Sequence, residues 1–343
     1  MSNTLSTGED QQVFITTAGG KQRLYQAEVI DGCFTRTIDA TSQAWIRLKV
    51  SARCCADIKY TQVWRTDLEW YRDGVLVWAG PIRQVNYEND EVQILATDVS
   101  SWWDVRFMNN FSGRGDVAGL FADIIEQGTA DNPIPGMTVI SSAVGRNGEV
   151  TVLEEQDVTI ASVIQELADS DVDWTVVGRN VFVYNPELTS GVNRPTITLA
   201  SECWDAPPKI VQRGDSEFAT ELIAYGGDGS RVKVSSPNVI IDQYGLVQRT
   251  IEFRFIQDPE QLARAAESAL AVLSQPFYID ETTSASLVPK KACPFDQLLP
   301  GLLVNTQVRH LCFEFNAIMR IQNVQNCING DVKIGLEPIG SLL

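Results

Sequence analysis

Histidine is almost absent: His310 is the only one in 343 residues. Any Ser-His-Asp or Cys-His relay would have to use that one imidazole. It sits in Val308-Arg309-His310-Leu311-Cys312-Phe313, which reads as a strand, so a structural or interface role is expected. Basic residues are also few: 27 Lys and Arg against 44 Asp and Glu leave a net charge of −17. Such a chain repels phosphate backbones, which argues against tight nucleic-acid binding. Long apolar runs are missing as well. The best, around Leu298 to Val304, is short and broken by Pro300 and Gly301, too short to span a bilayer. Met1 to Gln12 is polar and lacks the basic start and apolar centre of a secretion signal, so folding in a cytoplasm is expected. No Cys-x-x-Cys occurs among Cys33, Cys54, Cys55, Cys203, Cys293, Cys312 and Cys327. The odd number and irregular spacing argue against zinc and lead to an expectation of buried, reduced thiols.

What is abundant is alternation with period two. Ile46, Leu48 and Val50 alternate with Arg47 and Lys49; Ile251, Phe253 and Phe255 with Thr250, Glu252 and Arg254; Val332, Ile334 and Leu336 with Asp331, Lys333 and Glu337. This pattern belongs to antiparallel strands with one face in a core and one in water. Asp73-Gly74 and Asn329-Gly330 stand where type I′ hairpin turns are needed, and Gly178-Arg179-Asn180 separates two further strands. Three segments read as helices. Asp116 caps a helix with Val117, Leu120, Phe121, Ile124 and Ile125 inside and Gly128 at its stop. Thr159 caps one with Ile160, Val163, Ile164 and Leu167 inside. Asp258-Pro259 opens a third, with Gln261 placed to close a capping box and Leu262, Ala265, Ala266, Ala269, Leu270 and Leu273 inside. The fold class expected is mainly β with an α+β insert: a strand-and-turn domain over 1–106, a barrel or sandwich; a two-helix α+β domain over 107–205; and a return to strands over 206–343, interrupted by a helix at 258–275, with Pro207-Pro208 marking a boundary.

Candidate chemistry is weak throughout. Asp169, Asp171 and Asp173 have the spacing of half a calcium loop, but Trp174 and Asn180 stand where Gly and Glu are required. Gly226-Gly227-Asp228-Gly229 lacks the Lys-Ser/Thr of a phosphate loop and opens no obvious helix. Glu154 and Glu155, near Asp157, have no identifiable partner for a glycosidase pair. Trp64, Trp70, Trp78, Trp102, Trp103, Trp174 and Trp204 fit a core or subunit interface better than a sugar platform, with Trp70 and Trp78 placed to pair across one hairpin. No catalytic, cofactor-binding or metal residue is assigned, and no enzyme activity is expected.

The order of elements resembles the tail hub (baseplate hub, minor tail) proteins of long-tailed bacteriophages. The resemblance rests on Asp67 to Gly80 with Pro81-Ile82, Val92 to Asp98 and Trp102-Trp103; on the unit from Asp116 to Pro186 with its hairpin Asp173 to Val183; and on Arg249 to Glu252, Asp258 to Gln275 and Leu299 to Val304. It implies two small antiparallel β-barrels flanking a small α+β domain. It also implies a homotrimeric ring at the distal end of the tail tube that adapts six-fold to three-fold symmetry and closes or opens the tube. The implied partners are a distal tail protein, a tape measure protein and a tip or fibre protein, with DNA passing through unbound. The implied place is the virion tail tip, after assembly in the host cytoplasm. The alternatives are another minor or distal tail component and a tail-associated cell-wall hydrolase; the single histidine argues against the hydrolase.

Overall fold

The computed structural model describes residues 11–88, 90–170, 172–184, 197–212, 218–274, 277–279, 285–287, 298–310 and 313–338. The first module holds β1 (Gln11–Thr17), β2 (Arg23–Gln26), β3 (Val29–Thr37), β4 (Gln43–Lys49), the short helix α1 (Ala52–Ile58), β5 (Thr66–Arg72), β6 (Val75–Tyr87) and β7 (Glu91–Thr97). Its sheet runs β2-β1-β5-β6-β7-β4-β3. Asp73 (φ 48°) and Gly74 (φ 78°) both take the positive φ a type I′ turn demands. Trp70 faces Trp78 directly across the hairpin, and both are buried.

β6 serves two partners. Its first half pairs with β5 up to Pro81, its second with β7 from Ile82. The changeover falls on Gly80-Pro81. A Cβ at Gly80 would lie 1.9 Å from the Thr97 carbonyl oxygen, so only glycine lets the strands cross this closely. Pro81 adds a residue with no ladder donor where the strand changes partner.

The second module holds β8 (Phe111–Asp116), α2 (Val117–Gly128), β9 (Thr138–Ser141), β10 (Asn147–Val152), α3 (Ile160–Ser170), β11 (Asp173–Val177) and β12 (Asn180–Tyr184). α2 and α3 are two of the three expected helices. Asp116 accepts from the Ala118 N–H and holds the Val144 and Gly145 N–H groups besides. The Thr159 hydroxyl accepts from Ser162 N–H. Both helices turn their apolar faces into one core with Trp103, Trp174 and Val181.

The remainder holds β13 (Ile197–Leu199), β14 (Trp204–Ala206), β15 (Ile210–Gln212), β16 (Glu221–Gly226), β17 (Arg231–Ser235), α4 (Asn238–Tyr244), β18 (Gln248–Phe253), α5 (Pro259–Leu273), β19 (Phe277–Ile279), β20 (Ala285–Leu287), β21 (Leu303–His310), β22 (Phe313–Cys327) and β23 (Val332–Pro338). It departs from the expected continuous block in two ways. First, β22 pairs with β3 over Asn323–Cys327 against Cys33–Thr37. The sheet therefore continues from β3 through β22, β23 and β20 to β14. A single core joins Val13, Ile46 and Trp70 to Val304, Met319 and Ile334. Alternation tells which face of a strand is buried; it does not tell which distant strand lies beside it.

Second, α5 is not inserted into that sheet. It covers a separate three-stranded sheet, β17-β16-β18. Leu262, Ala265 and Ala266 meet Ala224 and Phe253, and Leu270 meets Leu222. Its alanines permit the close approach, and its other side rests on α3. Asp258 caps the helix by accepting from Gln261 N–H. The second half of the expected capping box is replaced: the buried Gln261 side chain accepts from Glu149 N–H on β10, a tertiary bond that spacing does not reveal.

Two local expectations are also corrected. Asn329 does not take positive φ; Gly330 does (φ 88°). With Gly330 N–H bonded to the Cys327 carbonyl and Cys327 N–H to the Asp331 carbonyl, the β22–β23 connection has the form of a three-residue loop rather than a two-residue type I′ turn. The cysteines are not all reduced. Cys33 and Cys327 stand opposite one another on the β3–β22 ladder and form a disulfide, their Cα atoms 4.0 Å apart. Cys203 is buried and free, Cys54 is half-buried and Cys55 exposed; Cys293 and Cys312 lie outside the described residues.

Candidate functional site

The three parts of the chain meet around the β11–β12 hairpin. Gly178 takes positive φ (64°) at its turn, and its N–H reaches the Val77 carbonyl of β6. Thr175 donates its hydroxyl to the Thr37 carbonyl at the end of β3. Asp39 N–H donates to the Trp174 carbonyl, and the Asp39 carboxylate accepts Trp174 N–H at 2.7 Å. On the other side Tyr184 donates its hydroxyl to the Pro300 carbonyl at 3.0 Å.

Two buried charge clusters flank this hairpin. In one, Arg179 at the turn reaches back to β5: Nη1 lies 2.7 Å from Asp67 and Nη2 donates to Glu69 at 2.9 Å. Asp67 also accepts Gly19 N–H. Burial raises the Asp67 carboxyl above its usual range although Arg179 opposes this. In the other, Arg320 of β22 gathers three carboxylates. Its Nη1 donates to both Asp173 oxygens at 3.1 and 3.0 Å, its Nε lies 2.7 Å from Glu337, and its Nη2 is 3.9 Å from Asp39. Burial, then the neighbouring Asp173, push Asp39 well above the carboxylate range. Burial pushes Asp173 up to about 6 despite Arg320. Three carboxylates on one guanidinium in a low-dielectric site cannot all stay ionised cheaply.

Between the clusters is a largely apolar cavity of about 480 Å³ lined by Leu76, Val77, Phe182, Leu299 and Leu302, with Arg36, Thr175 and Tyr184 as its polar groups. Arg36 is buried there and donates to the Val77 carbonyl. The arrangement is that of a joint: hydrogen bonds and ion pairs fix one module against the next.

The sequence-level candidates fall as follows. Asp173 belongs to the Arg320 cluster, Asp169 accepts from Gln165, and Asp171 lies outside the described residues, so the half-loop spacing gathers no ligand set among those described. Gly226 to Gly229 form the β16–β17 turn, closed by Asp228 accepting Ser230 N–H. Glu155 and Asp157 are exposed, and Asp157 takes positive φ; nothing is described of the Glu154 or His310 side chains. Among the described residues no three His, Cys, Asp or Glu side chains are grouped to hold a metal. Trp70, Trp78, Trp103, Trp174 and Trp204 are buried, whereas Trp64 and Trp102 are half-buried and stack on each other. Asp98 is buried, accepts from Ser42 and Ser100, and caps the turn that carries Trp102 and Trp103; burial raises it to about 6. Arg179, Arg320 and Asp39 went unsignalled as site residues because each meets residues far along the chain, whereas Glu337 meets Arg320 across the β22–β23 hairpin.

This mainly β fold, with an α+β module docked against one long sheet, is that of phage tail proteins. A tail protein from Neisseria meningitidis superposes with a TM-score of 0.67 at 14% identity, over 96% of each chain. The 43 kDa tail protein of prophage MuSo2 from Shewanella oneidensis gives 0.64 at 12% identity, over 96% of this chain and 98% of that one. Prophage tail protein gp18 from Listeria monocytogenes gives 0.60 at 12%, over 95% and 94%. No family model and no curated protein matches the sequence. The resemblance noted in the sequence is thus borne out in the fold.

Proposed function

We propose that the chain is a tail hub subunit of a phage or phage-like particle. In this reading three copies form a ring at the distal end of the tail tube. The strand-rich blocks on either side of the β3–β22 ladder act as its two barrels, so that six barrels meet a six-fold tube and present a three-fold tip. The observation that carries the reading is end-to-end similarity to three tail proteins, over 95% or more of this chain. The rigid three-part joint suits a subunit that transmits load between tube and tip. The proposed partners are a distal tail protein, a tape measure protein and a tip or fibre protein. DNA passes without being held, in keeping with the charge of −17. The proposed mode of action is assembly and not catalysis. The test is the solution mass by light scattering with negative-stain images of the same sample. A three-fold ring, alone or on adding the distal tail protein, is expected; a monomer that never assembles would point to a peripheral tail module. Lysis in a peptidoglycan zymogram that survives His310→Ala and is lost with an acidic substitution would show an enzyme instead.

A further inference from the structure

At the seam between the first and second modules, four side chains form a ladder. The Trp64 and Trp102 rings lie 4.4 Å apart. The Arg83 guanidinium sits 3.8 Å from the Trp64 ring centre, and the Arg106 guanidinium 5.2 Å from that of Trp102. Each indole is already engaged by a ring and a cation, which makes the pair a poor stacking platform for a sugar. Both arginines are half-buried. Arg83 donates to Thr97 Oγ1 and Arg106 to the Asn132 carbonyl. Neither arginine has a carboxylate within ion-pair distance among the described residues; Asp104 acts on Arg83 only from farther away. Burial holds both guanidiniums below the usual arginine range.

The surroundings are those of a contact surface. Val63, Val105 and Phe107 are exposed beside the ladder, Phe107 by 62%. Trp64 itself is held at φ 65°, a conformation that is unfavourable for a bulky residue and persists only where its surroundings fix it. Arginine and tryptophan beside exposed apolar groups is the composition of interface hot spots.

We propose that this arginine–tryptophan ladder is the surface through which one copy of the chain grips a carboxylate-bearing face of a second copy. The occupant follows from charge. A guanidinium seated over an indole ring still carries its N–H donors as a planar fork, which matches a carboxylate. The chain carries 44 acidic residues and a net charge of −17, so the rest of its own surface is rich in that ligand. A ladder on one copy meeting acids on the next is a heterologous contact, and such contacts close into rings when the rotation allows. The inference rests on the ring reading above and adds the surface that makes the ring.

Sedimentation velocity of the full chain at 50 and 500 mM NaCl tests it, with Arg83→Glu/Arg106→Glu beside a charge-matched control, Arg231→Glu/Arg254→Glu. Wild type and control are expected to assemble, less at high salt, and the ladder variant to remain monomeric with an unchanged thermal melt. A folded ladder variant that assembles like wild type overturns the ladder while leaving the ring standing. A wild type that is monomeric under every condition, distal tail protein included, overturns both. If the reversal impairs folding, Arg83→Lys/Arg106→Lys keeps the charge but removes the fork. At least tenfold weaker association supports the proposal, and unchanged association overturns it.

Discussion

The two charge clusters that lock the β11–β12 hairpin use one arginine each, yet they are balanced differently. Arg179 meets two carboxylates, Asp67 and Glu69. Its planar fork spans both, and Asp67 gains a backbone donor from Gly19. Arg320 meets three, Asp39, Asp173 and Glu337. There the geometry is bidentate on Asp173 only, and Asp39, hydrogen-bonded to Asp173, is left with weak cationic support. Asp67 is raised somewhat by burial, whereas Asp39 is raised far above its range. A third buried carboxylate on one guanidinium raises the cost of keeping all of them ionised. The Arg320 joint is therefore expected to depend on pH more strongly than the Arg179 joint.

The largest effect should come from breaking the first lock. Arg179→Met strands two buried carboxylates and is expected to cost about 3–5 kcal/mol at pH 7, measured by urea unfolding. Arg320→Met is expected to cost as much at pH 8 but only about 1 kcal/mol at pH 5, where Asp39 and Asp173 can take protons instead of a partner. Equal losses at the two pH values would erase the distinction between the joints. Asp39→Asn sharpens it from the other side. A carboxyl raised in the folded state contributes stability below its unfolded pKa and loses it as pH rises through the folded value. Asparagine keeps the acceptor for Trp174 N–H without that loss. It should be nearly neutral at pH 5 and should stabilise by about 1 kcal/mol at pH 8. Destabilisation at pH 8 would mean that Asp39 is held as an anion after all.

The joints also mark where sequence reading stops. The Asp73-Gly74 turn, the caps at Asp116 and Asp258 and the inner face of α5 depend on neighbours within a few residues, and all are legible. The Gly80-Pro81 corner lies in a stretch quoted for its family likeness, but its reason is the Thr97 carbonyl crossing behind it. Arg179 and Glu69 are separated by 110 positions, Arg320 and Asp173 by 147, and Cys33 and Cys327 by 294. No periodicity or local motif carries such a pairing. The acidic run containing Asp173 is visible, and its spacing fails as a calcium loop; the cation Asp173 meets is an arginine from a strand near the other end of the chain. Likewise Asn329-Gly330 marks the turn after β22, and only the register between β22 and β3 reveals a continuous sheet and a disulfide.

The smallest effect tests whether Tyr184 belongs to the pH-dependent joint or merely stands beside it. Its hydroxyl donates to the Pro300 carbonyl. Burial first, then the neighbouring Asp173 and Asp39, push its ionisation well above the usual tyrosine range. It therefore remains neutral from pH 5 to 8, and the bond to Pro300 is of neutral strength throughout. Tyr184→Phe removes that bond and leaves the ring in place against the cavity. The expected cost is about 1 kcal/mol, the same at pH 5 and pH 8, read from paired urea titrations. A cost that grows as pH rises would show that the hydroxyl turns to donate to the ionised Asp39 or Asp173. Tyr184 would then be a fifth member of the Arg320 cluster, and the joint would have a neutral donor to offset its excess of acids.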